Sequence, residues 1–193
     1  MIYRFPKWKD ASWNSYERQK ERYEVIAPLL GRDEVGAELG VYKGGFGEFL
    51  LPHCRKLYLV DVWYRNGGFW DMEGRADSRV ETVVSILRTY QAEIEEGRVE
   101  VVVERASAFL DALPEDHFDF LYLDASHRYQ ATRKEIASAI RAVRPGGHVF
   151  GDDYDPDPES RQHGVFRAVN EAVKRTGATM VVDARRQWGL RMP

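Results

Sequence analysis

A chain of 193 residues, 44% hydrophobic and 31% charged, has the size and composition of one globular domain. Its net charge of −3 comes without a polybasic block, which argues against nucleic acid or an anionic membrane as partner. No apolar run is long enough to span a bilayer, MIYRFPKWKD lacks the apolar core of a signal peptide, and a single cysteine excludes an intrachain disulfide, so the cytoplasm is the expected address.

Residues 1–15 are irregular and aromatic (Tyr3, Phe5, Trp8, Trp13), and residues 16–30 read as a helix. The first strand is 35–39, closed by Gly40; a loop and helix run through Leu51, and the apolar stretch 56–61 is a second strand, buried on both faces. A connection rich in Gly and Trp leads to a helix over 78–95, then a strand at 99–103 and a short helix at 106–112. The fourth strand is 118–124, with a helix at 129–143; Pro145-Gly146-Gly147 turns the chain into a fifth strand at 148–152. A helix at 164–175 precedes two strands, 179–183 and 187–191, that read as a hairpin around Ala184-Arg185-Arg186. The alternation predicts a single α/β domain over 1–193: a doubly wound, mostly parallel seven-stranded sheet with a C-terminal antiparallel hairpin.

The richest stretch is FDFLYLDASHRYQATRKEIASAIRAVRPGGHVFGDDY, residues 118–154. Parallel strands joined by a crossover helix end side by side, which brings Asp124, His127, Asp152 and Asp153 to one rim of the sheet, where open α/β folds bind ligands. Three carboxylates so placed oppose one another's ionisation, and call for a metal, a cationic ligand or raised pKa values. Upstream, AELGVYKGG puts Glu38 in the first strand end and Gly40 and Gly44 in the loop after it, and Asp61 closes the second strand. An acid there holds a ribose diol in dinucleotide-binding folds, but G-x-G-x-x-G is absent because Tyr42 stands two residues after Gly40. E-x-G-x-x-x-G suits instead a ligand carrying an ammonium and a sulfonium.

In order, AELGVYKGG, LYLVDVW, ERASAFL, FDFLYLDASH and RPGGHVFGDDY resemble the motifs of class I S-adenosylmethionine-dependent methyltransferases. The resemblance covers roughly residues 30–193 and lies nearest the metal-dependent small-molecule O-methyltransferases of the catechol and macrolide-sugar types. It implies a Rossmann-like methyltransferase fold, with Glu38, Gly40 and Gly44 near the methionine part of S-adenosylmethionine and Asp61 on the ribose hydroxyls. Val62 and Trp63 would flank the adenine, Ala106 and Ser107 would lie at its edge, and Asp124 would border the cofactor. Trp63 could equally pack a loop, and Ser107 cap a helix.

Asp124, Asp152 and Asp153 form the oxygen-only set that Mg²⁺ prefers, and the resemblance implies an acid after strand four and an acidic pair after strand five as ligands. It also implies a Lys or His base at the position of His127, whose unperturbed pKa near 6.5 suits a proton acceptor. The expected activity is O-methylation of a small-molecule hydroxyl. GDDY and GVFRAV (164–169) resemble sugar methyltransferases more than catechol ones, and that resemblance implies a sugar or glycosylated natural product as acceptor. Residues 1–30, with the aromatic loop after Asp61 (Trp63, Tyr64, Phe69, Trp70), would cover the acceptor or form an interface, so a homo-oligomer is open. His163 is a possible second base; His53, His117 and His148 read as structural, and Cys54 as an incidental thiol. A metal-independent enzyme of the same fold, a nicotinamide oxidoreductase and a non-catalytic cofactor-binding subunit are the alternatives.

Overall fold

Short apolar runs separated by amphipathic segments produce seven strands and seven α-helices among the residues described by the computed structural model, 15–63 and 77–193. The aromatic residues expected over the acceptor at positions 3–13 and 64–70 lie outside these. The strands are β1 (Glu34–Leu39), β2 (Cys54–Asp61), β3 (Val99–Val103), β4 (Phe118–Leu123), β5 (Val143–Gly151), β6 (Thr179–Ala184) and β7 (Gln187–Arg191). The helices are α1 (Tyr16–Ile26), α2 (Gly47–Leu50), α3 (Asp77–Thr89), α4 (Gln91–Glu95), α5 (Ala106–Asp111), α6 (Tyr129–Ala142) and α7 (His163–Thr176). The sheet order is β3-β2-β1-β4-β5-β7-β6. The first five strands are parallel, and β7 pairs antiparallel with both β5 and β6. This is the expected α/β sheet, and the strand order reverses between β1 and β4.

Alternation along the strands divides the core in two. Ala37, Leu39, Leu121, Leu123 and Val149 face α5, α6 and α7, where Leu110, Ile136 and Val169 bury against them. Leu57, Leu59, Phe120, Tyr122 and Phe150 face the other way, against Ile26, Phe46, Leu50, Ile86 and Tyr90.

Several boundaries differ from expectation for local reasons. Helix α1 stops at Ile26 rather than residue 30, because Pro28 cannot continue it and a 3₁₀ turn (Ala27–Leu29) follows. The helix expected over 78–95 breaks at Tyr90, whose buried ring carries a hydroxyl that donates to the Gly44 carbonyl at 2.6 Å. Strand β5 begins at Val143, not 148: Val143 pairs with Phe118, and a bulge takes Pro145-Gly146-Gly147 into the strand. A Cβ on Gly147 would meet Asp119 O at 2.6 Å, so glycine serves a close strand approach as well as a turn.

The β6–β7 connection is a two-residue turn in which Arg185 (φ 53°) and Arg186 (φ 65°) are both left-handed. Such turns favour Asn-Gly, and two arginines there cost about 1–3 kcal/mol each. The turn lies at the rim formed by the C-terminal ends of β1 to β5, since Gln187 and Trp188 begin the antiparallel strand beside Gly151. Asp153 (φ 65°), Tyr42 (φ 52°) and Trp63 (φ 37°), also left-handed, follow the C-terminal ends of β5, β1 and β2 on the same rim. Backbone strain gathers where ligands are expected.

Candidate active site

Register explains how the acids meet. Tyr122 lies opposite both Glu38 and Phe150, and the ladder continues through Asp124 N–H to Leu39 O (2.8 Å) and Asp152 N–H to Leu123 O (3.2 Å). Asp124 and Asp152 follow Tyr122 and Phe150 by two residues, so both project toward the face covered by α1. There α1 brings two guanidiniums, four residues and so one helical turn apart. Arg22 Nη1 bonds Asp124 Oδ2 at 3.0 Å, Arg22 Nη2 pairs with Asp152 Oδ2, and Arg18 Nη2 reaches Asp152 Oδ1 at 3.3 Å. Gln187 donates to the same Asp152 oxygen and accepts from the Tyr122 hydroxyl at 2.6 Å.

The Asp152 carboxylate is 2% exposed and saturated by these partners, so it is committed to docking α1 and the hairpin. Two acids are balanced by two arginines, which is one answer to the demand for a cation. Burial still pushes the Asp124 carboxyl up to about 7; Arg22 opposes the rise, and Asp152 and Asp153 add to it.

Asp153 does something different. Its left-handed backbone is followed by Tyr154, whose N–H donates to Arg186 O at 2.9 Å and so ties the segment to the strained turn. Its carboxylate takes His127 Nδ1 at 2.8 Å on one oxygen and Arg186 Nη2 at 3.0 Å on the other. His127 is set by the loop before α6: Thr132 Oγ1 donates to Ser126 O at 2.8 Å, and Gly164 of α7 leaves no room for a Cβ beside His127 O (2.7 Å). Burial alone would push the Asp153 carboxyl up, but His127 and Arg186 outweigh it and hold it below the ordinary value. The Asp153 hydrogen bond in turn holds the imidazole above its ordinary pKa, against burial. With Nδ1–H donated to Asp153, Nε2 is the atom left for an acceptor proton.

One ligating atom each from Asp124, His127 and Asp153 lie within 4.8 Å of one another. His127 thus joins Asp124 and Asp153 on the rim, while Asp152, which shares Arg22 with Asp124, is held by Arg18, Arg22 and Gln187. Two carboxylates and an imidazole suit a transition ion better than Mg²⁺, which prefers oxygen throughout. The pocket beside them is lined by Leu123, Thr132, Glu135 and Trp188 as well as Asp124, His127 and Asp152. Sequence reasoning missed Glu135, whose carboxyl burial raises to about 7 against the pull of His127. It follows Thr132 by three residues, so both share one face of α6; that spacing was the available signal. Arg18, Arg22 and Arg186 were missed as well, and only the one-turn spacing of the first two could have hinted at a shared face.

On the cofactor side, Glu38 is 3% exposed, and its Oε2 has no hydrogen-bond partner. Burial drives its carboxyl well above the ordinary range; repulsion from Asp124 and Asp61 adds to this, and Arg22 and the Gly47 amide oppose it. An unmet buried acid at the end of β1 fits a ligand bearing a positive charge, as an ammonium and sulfonium would. Asp61 accepts from Tyr42 N–H (2.8 Å) on one oxygen and from Val62 N–H (2.6 Å) and Trp63 N–H (3.3 Å) on the other, tying the loops after β1 and β2 together. Trp63 is buried in the α1-side core and donates Nε1–H to Tyr42 O at 2.9 Å, which is the packing alternative raised above. Gly44 (φ 81°) opens the segment before α2. Ala106 begins α5 and Ser107 lies inside its first turn, with Arg105 at the cap position.

The remaining candidates are held elsewhere. His163 Nδ1 lies 3.3 Å from Asp155 O and its ring stacks on Phe166; His148 stacks on Phe150, His53 bonds Tyr23 and Gly31, and His117 packs on Phe118. Cys54 is buried, with its thiol pushed up to about 12 by burial, which leaves it protonated and unreactive.

Residues 34–154 match the family described as Methyltransferase domain, which is more than half of the chain. Similar solved structures include the N-methyltransferase NodS from Bradyrhizobium japonicum WM9 (20% identity, TM-score 0.59, covering 93% of this chain and 98% of that one). Another is the 1,6-didemethyltoxoflavin-N1-methyltransferase of Burkholderia thailandensis, solved with 1,6-didemethyltoxoflavin and S-adenosylhomocysteine (16%, TM-score 0.65, 93% and 80%). A third is an rRNA methylase from Streptococcus thermophilus (12%, TM-score 0.61, 94% and 99%). No match was found among curated proteins. These likenesses, with the sheet order, define the fold as the Rossmann-like one of class I S-adenosylmethionine-dependent methyltransferases. The chain belongs to the methyltransferase-domain family. Among the described residues no helix is long and apolar enough to cross a membrane.

Proposed function

We propose that this methyltransferase moves the methyl group of S-adenosylmethionine to a hydroxyl of a small molecule, a sugar or glycosylated natural product, with His127 as general base. The supporting observation is the His127–Asp153–Arg186 chain, which sits beside Asp124 on the rim that also carries Glu38 and Asp61. When bound, S-adenosylmethionine supplies an electrophilic methyl on a sulfonium, whose sulfur keeps the electron pair as the carbon–sulfur bond breaks. His127 Nε2 takes the hydroxyl proton as the oxygen attacks, and Asp153 stabilises the imidazolium that forms. Arg186 keeps Asp153 ionised, and Arg18 and Arg22 hold α1 over the rim.

A second reading adds a divalent ion, favoured by the approach of Asp124, His127 and Asp153 within 4.8 Å. Those three residues would hold it, magnesium or a transition ion, and it would lower the pKa of the acceptor hydroxyl. Mass spectrometry of products from a panel of sugars, catechols and amines, with and without chelator, separates these readings. Methylation on oxygen that survives chelation supports the base mechanism; loss of activity restored by added ion supports the metal. Methylation confined to nitrogen sinks the hydroxyl assignment.

The dyad also sets the pH dependence. A base must be neutral to accept a proton, and Asp153 holds the His127 pKa above its ordinary value, so kcat/KM should rise with pH through a limb above about 6.5. Asp153→Asn should move that limb downward while lowering the plateau. The linkage has the same sign: the stability from this pair is fully present below about 6.5 and is lost as pH rises through the folded-state pKa. Profiles with coincident limbs in wild type and variant would show that Asp153 does not tune the base.

A further inference from the structure

Helix α3 buries one side and leaves another bare. Val83 and Ile86 pack into the α1-side core, yet Val80, Val84 and Leu87 stay 48%, 36% and 42% exposed. Those three are spaced four and three residues apart, so they form one stripe along the helix. Val103, 47% exposed, extends the apolar surface onto the edge strand β3. It follows Val101 by two residues, and Val101 packs in the same core as Ile86, so Val103 lies on the α3 side of the sheet. Together these are four of the five large apolar side chains left exposed among the described residues. Scattered singly, such residues need no explanation; gathered on one border they mark a contact.

The charges beside the stripe say what it meets. Glu81 and Arg88, both exposed, are seven residues apart and so flank the stripe on the same side. Neither makes an ion pair with a described residue. An acid toward one end and a base toward the other are complementary to their own image. When two such helices cross antiparallel about a two-fold axis, like flanks come together. Val84 then meets its counterpart on the axis, Val80 meets Leu87, and each Glu81 faces an Arg88 across the seam. These three pairings agree in register to within about two residues, roughly 3 Å along the helix, which side chains this long can span. A parallel pair would set that flank against the opposite one, where Val83 turns into the core.

We propose that α3 is a homodimer interface, occupied by α3 of a second copy of this chain running antiparallel, with Glu81 and Arg88 forming two symmetric ion pairs. The surface is self-complementary, as a two-fold dimer demands. Its apolar stripe supplies the attraction, and the flanking charges fix the direction. Val103 pairs in register with Asp61, so the apolar border reaches the strand end that carries Asp61. The inference is independent of which acceptor or ion the enzyme uses.

Sedimentation velocity across a dilution series tests it. Wild type should pass reversibly from monomer to dimer as concentration rises. Val84→Glu, which sets two carboxylates together on the axis, should leave monomer only. Glu81→Arg or Arg88→Glu alone turns both ion pairs into like-charge contacts and should weaken the dimer at least about tenfold. An equimolar mixture of these two variants should dimerise again, because one chain then carries two bases on the flank and the other two acids. The double variant Glu81→Arg/Arg88→Glu should match wild type to within about threefold. All three positions are exposed, and thermal melts check that each variant folds. A wild type that stays monomeric at every concentration overturns the proposal, with the stripe left bare or covered by another part of this chain. A dimer indifferent to Val84→Glu overturns it too, since the contact then lies elsewhere. So does a mixture that fails to restore the dimer, because the charged flanks then do not meet.

Discussion

His127→Gln is expected to lower kcat by about 10²- to 10⁴-fold with little change in KM, the usual contribution of a positioned base. Glutamine keeps a donor that can reach Asp153 and a similar volume, so the loop between β4 and α6 retains its shape. What it cannot do is accept a proton from a hydroxyl whose own pKa lies far above neutrality. The imidazole is 47% exposed and is anchored to Asp153 through Nδ1, so global stability should change by under about 1 kcal/mol. A fall in kcat of this size, with S-adenosylhomocysteine binding intact, assigns the proton transfer to His127. A loss below tenfold would instead favour an amine acceptor that arrives deprotonated, or an ion that performs the deprotonation.

Much of this architecture was open to a reading of residues alone. Strands β1, β2, β4 and the C-terminal hairpin are short apolar runs with clear ends, and parallel crossover geometry then brings Asp124, His127 and the Asp152-Asp153 pair together. What that reading could not decide was the source of positive charge. Arg18 and Arg22 come from a helix more than a hundred residues upstream of Asp124 and Asp152, and nothing local to the acids announces them. The same applies to Arg186, which reaches Asp153 because a two-residue turn adopts left-handed angles at residues that ordinarily avoid them. Asp152 and Asp153 are neighbours in sequence, yet alternation gives them opposite tasks: one docks α1, the other orients a base. The bulge in β5 was hidden for a related reason. Pro145-Gly146-Gly147 carries the composition of a turn, and only the close approach of Asp119 O to Gly147 shows why those glycines lie within a strand.

Gly40→Ala should have the largest effect on the fold and the cofactor site together. Gly40 ends β1 at φ 97°, a conformation that an alanine side chain strongly disfavours. Space is also closed: a Cβ there would lie 2.1 Å from Asp124 O and 2.7 Å from Ala125 N, and both are backbone atoms of the neighbouring strand end. No rotamer relieves such a clash, so β1 and β4 must separate where Asp124 N–H bonds Leu39 O (2.8 Å), beside the Gly40 N–H to Val60 O bond (2.9 Å) that ties the end of β1 to β2. Overpacking and backbone strain each cost about 1–3 kcal/mol, and here they coincide. The movement falls between Glu38, Asp61 and Asp124, so binding should suffer even if the chain still folds. The expected result is a loss of several kcal/mol in denaturant-measured stability, with S-adenosylhomocysteine affinity weakened at least about tenfold, roughly 1.4 kcal/mol. Gly97→Ala serves as the comparison: its φ is 75°, but a Cβ meets nothing within 4 Å, so it suffers backbone strain without the clash. If the two variants lose equal stability and both bind S-adenosylhomocysteine as wild type does, the tight approach of β1 to β4 is not what shapes the cofactor site.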